Sequence, residues 1–175
     1  MGGAKSSSSA RSGGVVAVAP VATVAPTLPE GTHESRNGQH RRYFYTSPEG
    51  NQLLFIAEAR PLLSGTQIVQ YEFQVNQRYI RTGSIEPRDR QNLALATLRI
   101  AKYDVSNRPE GSLFSVSAST GDNLGASRAR AYAAFGFSST SSPGDGQYAV
   151  KRNGRLQPLT EAQFSNLYDT ARFGF

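Results

Sequence analysis

The 175-residue chain contains no cysteine. Disulfides, thiolate nucleophiles, zinc knuckles and iron–sulfur ligation are thereby excluded. Histidine is almost as scarce: His33 and His40 are the only two, both near the N-terminus and ahead of the segment whose pattern reads as folded. That argues against a Ser-His-Asp triad or a His-ligated metal inside a core. Long apolar runs are missing as well; Val15 to Ala19 is as long as any, far too short to cross a bilayer. Acidic residues are absent before Glu30. What is present is a basic balance, 19 Lys/Arg against 13 Asp/Glu, for a net charge of +6 and a pI near 9.9. With so few reactive groups, that balance makes a non-enzymatic polyanion binder without a cofactor the leading class.

The length suits one compact domain with a tail. Residues 1–40 differ in composition from the rest. MGGAKSSSSARSGG is Ser/Gly-rich, and VVAVAPVATVAPTLPEG is an Ala/Val/Pro tract with neither a helical nor a strand period. Such a segment cannot bury enough surface to offset its ordering entropy, so it reads as a disordered arm. Because it is Ser- and Arg-bearing and acid-poor, it also fits a transit peptide for the mitochondrion or another organelle; a plain tail leaves the nucleus or cytoplasm. Met1-Gly2 followed by Ser6 matches the short N-myristoylation pattern. Residues 1–42 hold five Lys/Arg and two Glu, so half of the net charge lies in the arm and the two arginines that open the first strand.

Residues 41–175 read as a single domain. RRYFYTS (41–47) is aromatic and β-branched enough for a strand and closes at Pro48-Glu49-Gly50. QLLFIAEAR (52–60) follows as a second strand. TQIVQYEFQVN (66–76) places Val69, Tyr71, Phe73 and Val75 on one face and Gln70, Glu72, Gln74 and Asn76 on the other, the period of a half-buried antiparallel strand. RYIRTGSI (78–85) reads as a fourth strand. Pro87 and Asp89 then open a helix whose Leu93, Ala96, Thr97 and Ile100 share a face. In the second half SLFSVSAS (112–119) alternates. SRARAYAAFGFSS (127–139) reads as a strand by its alternation, or equally as a helix by its alanines. QYAVKRNGRLQPL (147–159) is a hairpin through Asn153-Gly154. Thr160 and Gln163 form a capping box, with Leu159 stapled against Phe164.

The two strand-to-helix junctions align without gaps, TGSIEPRDRQNLALA (82–96) over NGRLQPLTEAQFSNL (153–167). Gly83 meets Gly154, Ile85 meets Leu156, Pro87 meets Pro158, and the caps Asp89 and Thr160 coincide. This internal repeat predicts an α+β fold of two ββββα repeats, repeat one over 41–107 and repeat two over 111–175. Each would be a curved antiparallel sheet packed with a helix.

The pattern resembles the single-stranded nucleic-acid-binding superfamily of Whirly proteins, mitochondrial RNA-binding proteins, Pur-alpha and the transcriptional positive coactivators. RRYFYTSPEGNQLLFIAEAR resembles the opening hairpin of a Pur repeat, and GRLQPLTEAQFSNL the last strand, cap and helix of a coactivator or Whirly repeat. The resemblance implies single-stranded RNA or DNA as partner, a role in RNA processing, transcription or genome maintenance, and homo- or hetero-oligomers. Basic residues would neutralise phosphates while aromatic rings stack on bases. The residues expected to do so are Arg41, Arg42, Tyr43, Tyr45, Arg60, Arg78, Tyr79, Arg81, Arg128, Arg130, Tyr132, Tyr148, Lys151 and Arg152. The lysine- and glycine-bearing strand motif of plant Whirly proteins is not found.

A rival reading belongs to another class. RTGSIEPRDRQNLALATLRIA resembles the strand–loop–helix of acyl-CoA N-acetyltransferases, and SLFSVSAS with ARAYAAFGF resembles that family's next strand and its Ala-Tyr-Gly-Phe helix. The resemblance makes Tyr132 the general acid. That family's loop cradles pyrophosphate on backbone N–H groups and needs glycines for close approach; here no glycine occurs between Gly83 and Gly111. The family's two early helices also lack a counterpart before residue 50. Gly-Phe-Ser-Ser-Thr-Ser (136–141) resembles an ADP-ribosyltransferase element, but the later E-x-E pair is missing. A structural assembly component is the third class, a basic arm on a β-rich body. Whether residues 127–139 form a strand or a helix separates the first two readings.

Overall fold

The computed structural model describes residues 25–76, 87–117, 125–140, 142 and 144–174. Seven strands form one sheet in sequence order: β1 (Thr32–Asn37), β2 (His40–Thr46), β3 (Gln52–Pro61), β4 (Gln67–Asn76), β5 (Leu113–Ser117), β6 (Gly146–Arg152) and β7 (Arg155–Leu159). Three helices complete the described fold: α1 (Pro87–Ser106), α2 (Gly125–Phe135) and α3 (Glu161–Phe173). All neighbours pair antiparallel except β4 and β5, which run parallel because α1 carries the chain back between them.

The expectation of two ββββα repeats is therefore overturned. One mixed sheet replaces two antiparallel ones, and among the described residues only β5 separates α1 from α2. The alignment of 82–96 with 153–167 matched two helix entries, not two four-stranded units. Residues 127–139 lie mainly in α2 and the turn after it, not in a strand. Five alanines between Ala126 and Ala134 favour helix, and what resembled strand alternation was the spacing of small side chains. The strand expected over 78–85 lies outside the described residues. Residues 32–37, placed in the arm, instead form β1, so His33 and His40 both sit on strands.

Pleating divides the side chains between two faces. On one face Tyr43, Tyr45, Leu53, Phe55, Ala57, Val69, Tyr71, Phe114 and Ala149 are buried against Leu93, Ala96 and Ile100 of α1 and against Phe137. On the other face α3 covers only the far end, where Phe164, Leu167 and Tyr168 pack on Leu113, Val150 and Leu159. The hairpin through Asn153-Gly154 forms as expected, with both residues at positive φ. Thr160 caps α3 in a complete capping box with Gln163. The helix ends at Gly174, whose left-handed backbone suits a residue without a Cβ.

A buried polar hub ties α1 to the sheet. Asp104 is fully buried and accepts hydrogen bonds from Tyr43 (2.5 Å), Tyr71 (2.7 Å) and Arg108, through both Nε (3.0 Å) and Nη2 (3.1 Å). Arg108 Nη1 reaches onward to the carbonyl of Gln39 and to Gln67 Oε1, both at 3.0 Å. Lys151 donates from Nζ to the carbonyls of Arg108 (2.7 Å) and Ser106 (3.4 Å), acceptors that the end of α1 leaves without helical partners.

Candidate functional site

The parallel pairing of β4 and β5 lasts only three residue pairs, Ile68 with Leu113, Val69 with Phe114 and Gln70 with Ser115. Beyond Gln70, β4 continues to Asn76 beside β3, its one partner there among the described residues, while β5 continues beside β6. The two strands part there, and aromatic side chains gather where they diverge. Phe73 of β4 stacks on Tyr132 of α2 with ring centroids 5.4 Å apart. Phe137 lies 6.4 Å from both Tyr71 and Tyr132, and 6.2 Å from Phe135.

Local chemistry sets this geometry. α2 places Ala129 and Tyr132 one turn apart, Ala129 buried and Tyr132 packed against the core of the sheet. Gly136 ends the helix at φ +133°, where a Cβ would fall 2.8 Å from Leu156 Cβ, so the turn into Phe137 requires glycine. Gln147, fully buried on β6, donates from Nε2 to the carbonyls of Ala129 (2.9 Å) and Ser138 (2.7 Å). Those two bonds pin the helix and its exit to the sheet.

Burial pushes the Tyr132 hydroxyl up to about 12, against a small opposing pull from Arg128 one turn earlier. Burial and the neighbouring Asp104 carboxylate push Tyr43 and Tyr71 well above the ordinary tyrosine value. The Tyr132 phenol is therefore protonated at neutral pH and can donate a proton or a hydrogen bond. Since the folded state holds these protons more tightly, their contribution to stability is complete below the ordinary tyrosine value of about 10 and falls as pH rises beyond it. For Tyr132 the fall spans roughly pH 10 to 12. An absorbance titration of tyrosinate should show a fraction that ionises near 10 and a buried fraction that ionises only above it, as the fold is lost. Ionisation of every tyrosine near 10 with the circular dichroism unchanged would contradict this.

The residues expected to contact nucleic acid are not brought together. Tyr43 and Tyr45 are core residues, and Arg41 is half-buried with Nη1 3.5 Å from Asp104. Lys151 is buried on the end of α1. Tyr148 stacks on Phe164 beneath α3, centroids 4.4 Å apart. Arg128 and Arg130 stand on α2, Arg130 exposed and Arg128 half-buried. Arg152 is exposed and bonds Gln157. Arg78, Tyr79 and Arg81 lie outside the described residues. Arg42 and Arg60 are exposed on the sheet face away from α1, where Phe44 is 45 % exposed. Arg60 there lines two cavities of about 280 and 420 Å³.

Sequence reasoning had singled out Tyr132 but missed Phe73, Phe137 and Gln147 as its supports. Phe73 carried a strand signal and Phe137 followed Gly136, but nothing in the order of residues announced that β4 and β5 would part between them. Among the described residues, no helix is long and apolar enough to cross a membrane. No protein-family model, no curated protein and no solved structure matches the chain.

Proposed function

We propose that the chain is an acyl-CoA-dependent N-acyltransferase-like protein whose reaction centre lies where β4 and β5 diverge. One observation carries this reading: residues 125–135 are a helix, closed by the Gly136-Phe137 turn and entered from the strand parallel to β4, with Tyr132 facing that divergence. The segments that resemble the acetyltransferase strand–loop–helix, next strand and Tyr-bearing helix thus include α1, β5 and α2, in that order. The departure also stands: the segment before α1 lacks the glycines that let a backbone close on pyrophosphate, so weak binding of the nucleotide end is expected.

The chemistry asked of this chain is modest. An amine attacks the thioester carbonyl and loses a proton to solvent; the carbon–sulfur bond breaks, the departing thiolate takes a proton from Tyr132, and solvent returns a proton to the phenolate. The Tyr132 phenol carries the proton that role needs at neutral pH, while burial, by pushing it up to about 12, makes it a weaker acid than a free tyrosine. Absence of cysteine makes the assay clean, because released CoA is then the only thiol a disulfide reagent can detect.

The test is calorimetry with acetyl-CoA, followed by thiol release in the presence of a polyamine or lysine peptide. Saturable binding is expected, with Tyr132→Phe keeping the affinity and slowing thiol release by about 10²-fold or more. Absence of binding at millimolar acetyl-CoA overturns the proposal.

A second reading keeps one supporting observation: Arg42 and Phe44 lie exposed on one strand face, a basic residue beside an aromatic ring. Glu58 and Glu72 share that face and oppose a phosphate backbone. An oligonucleotide titration in the same calorimeter separates the readings. Salt-sensitive binding lost in a combined Arg42→Ala, Phe44→Ala variant would favour a single-stranded nucleic-acid surface over the thioester site.

A further inference from the structure

We propose that the junction between the β2–β3 turn and the first turn of α1 binds a divalent cation through oxygen ligands, with calcium the best fit. Asp89 is 1 % exposed, and its Oδ1 is buried without a hydrogen-bond partner. Its Oδ2 accepts from the Asn51 side-chain amide. The Ser47, Glu49 and Asn92 side chains lie near the same carboxylate and favour its charged form. Asn92 also donates to Glu49 Oε1 at 3.3 Å, and the Asn51 backbone N–H to Ser47 Oγ at 3.1 Å. Two carboxylates and three neutral oxygen-bearing side chains thus converge at one junction, and one carboxylate oxygen is left bare.

A bare buried carboxylate oxygen is costly, and two carboxylates at one junction repel each other unless a proton or a cation offsets their charge. The N-terminal end of a helix supplies about half a positive charge, less than two carboxylates bring. The ligand atoms available are Asp89 Oδ1, the Glu49 carboxylate, the Ser47 hydroxyl and, after rotation of their amides, the oxygens of Asn51 and Asn92. That is a hard, all-oxygen set with no imidazole or thiolate, which suits calcium or magnesium rather than zinc or copper. Its members come from a turn and a helix end, a variable geometry that calcium tolerates better than magnesium does. No three His, Cys, Asp or Glu side chains cluster among the described residues. With only two charged ligands, the expected Kd is ~10⁻⁴–10⁻³ M.

Tyr45 gives the experiment its signal. The ring packs in the core with Leu93 of α1, and its hydroxyl is raised by burial first and then by the charges of Asp89 and Glu49. The full chain, excited at tyrosine, should sensitise bound terbium, and millimolar calcium should displace that emission. Calcium alone should raise the melting midpoint by roughly 3–6 °C at about tenfold excess over Kd. Asp89→Asn also removes a buried helix-terminal charge, so Glu49→Gln on the exposed turn carries the test. Glu49→Gln should weaken both responses by about tenfold or more while leaving the cation-free midpoint within a degree or two of wild type. Wild type that neither sensitises terbium nor responds to calcium overturns the proposal, as does Glu49→Gln with the full response.

Discussion

Asp104→Ala is expected to destabilise the fold by about 3–5 kcal/mol, a large share of the 5–15 kcal/mol typical of a domain. The loss comes less from the missing carboxylate than from what it leaves behind. Arg108 is fully buried with its guanidinium bound to Asp104, and the protein interior offers it no other anion in the hub. The Tyr43 and Tyr71 hydroxyls lose their acceptor at the same stroke. An unpaired buried charge costs far more than a salt bridge contributes, so the single variant is worse than removal of both partners. Urea unfolding of Asp104→Ala, Arg108→Met and the pair would show this: the double variant should be more stable than Asp104→Ala. A loss below about 1 kcal/mol for Asp104→Ala would mean that water reaches Arg108 and the hub is not closed.

Phe55→Ala is the second large expected effect, again about 3–5 kcal/mol. Phe55 is fully buried at the centre of β3 and meets Tyr43 (5.7 Å), Tyr71 (5.0 Å) and Phe73 (4.6 Å), each nearly edge-on. Truncation opens a cavity among three rings that are fixed by their own strands and by the Asp104 hub, so little collapse can fill it. Because Phe73 in turn stacks on Tyr132, Phe55→Leu is the informative smaller change. It should cost less stability yet loosen the Tyr132 ring, seen as a drop of the raised tyrosine titration toward 10. A stability loss under about 1.5 kcal/mol for Phe55→Ala would place the packing weight elsewhere.

Local order was legible, and global order was not. The period of two in residues 67–76 named the buried face of β4 correctly, because one side of that strand meets α1 and the other does not. Asn153-Gly154 and Thr160 with Gln163 acted as read, since turn and cap chemistry depend on neighbours within a few residues. The arm was drawn too long because Glu34 and Ser35 on an edge strand look like loop composition. The repeat failed because helix entries share turn and cap residues whatever they connect. Pairing of β4 with β5 across α1 leaves no local trace at all. Nor did Asp104 and Arg108, an i,i+4 pair that usually sits on a solvated helix face. Their burial follows from Tyr43 and Tyr71 on distant strands.

The three rungs between β4 and β5 also set the order in which the sheet is assembled. Within β1–β4, and again between β6 and β7, each pairing closes a short loop, so these parts can form with little entropic cost. Ile68 with Leu113 spans the whole of α1 and must wait for that helix to fold and dock. The seam is thus the last part of the sheet to close and the first to open. A fluctuation that breaks it separates β1–β4 from β5–β7 beside the stacked pair Tyr132 and Phe73, so exposure of those rings and the native-state opening of the sheet are one motion.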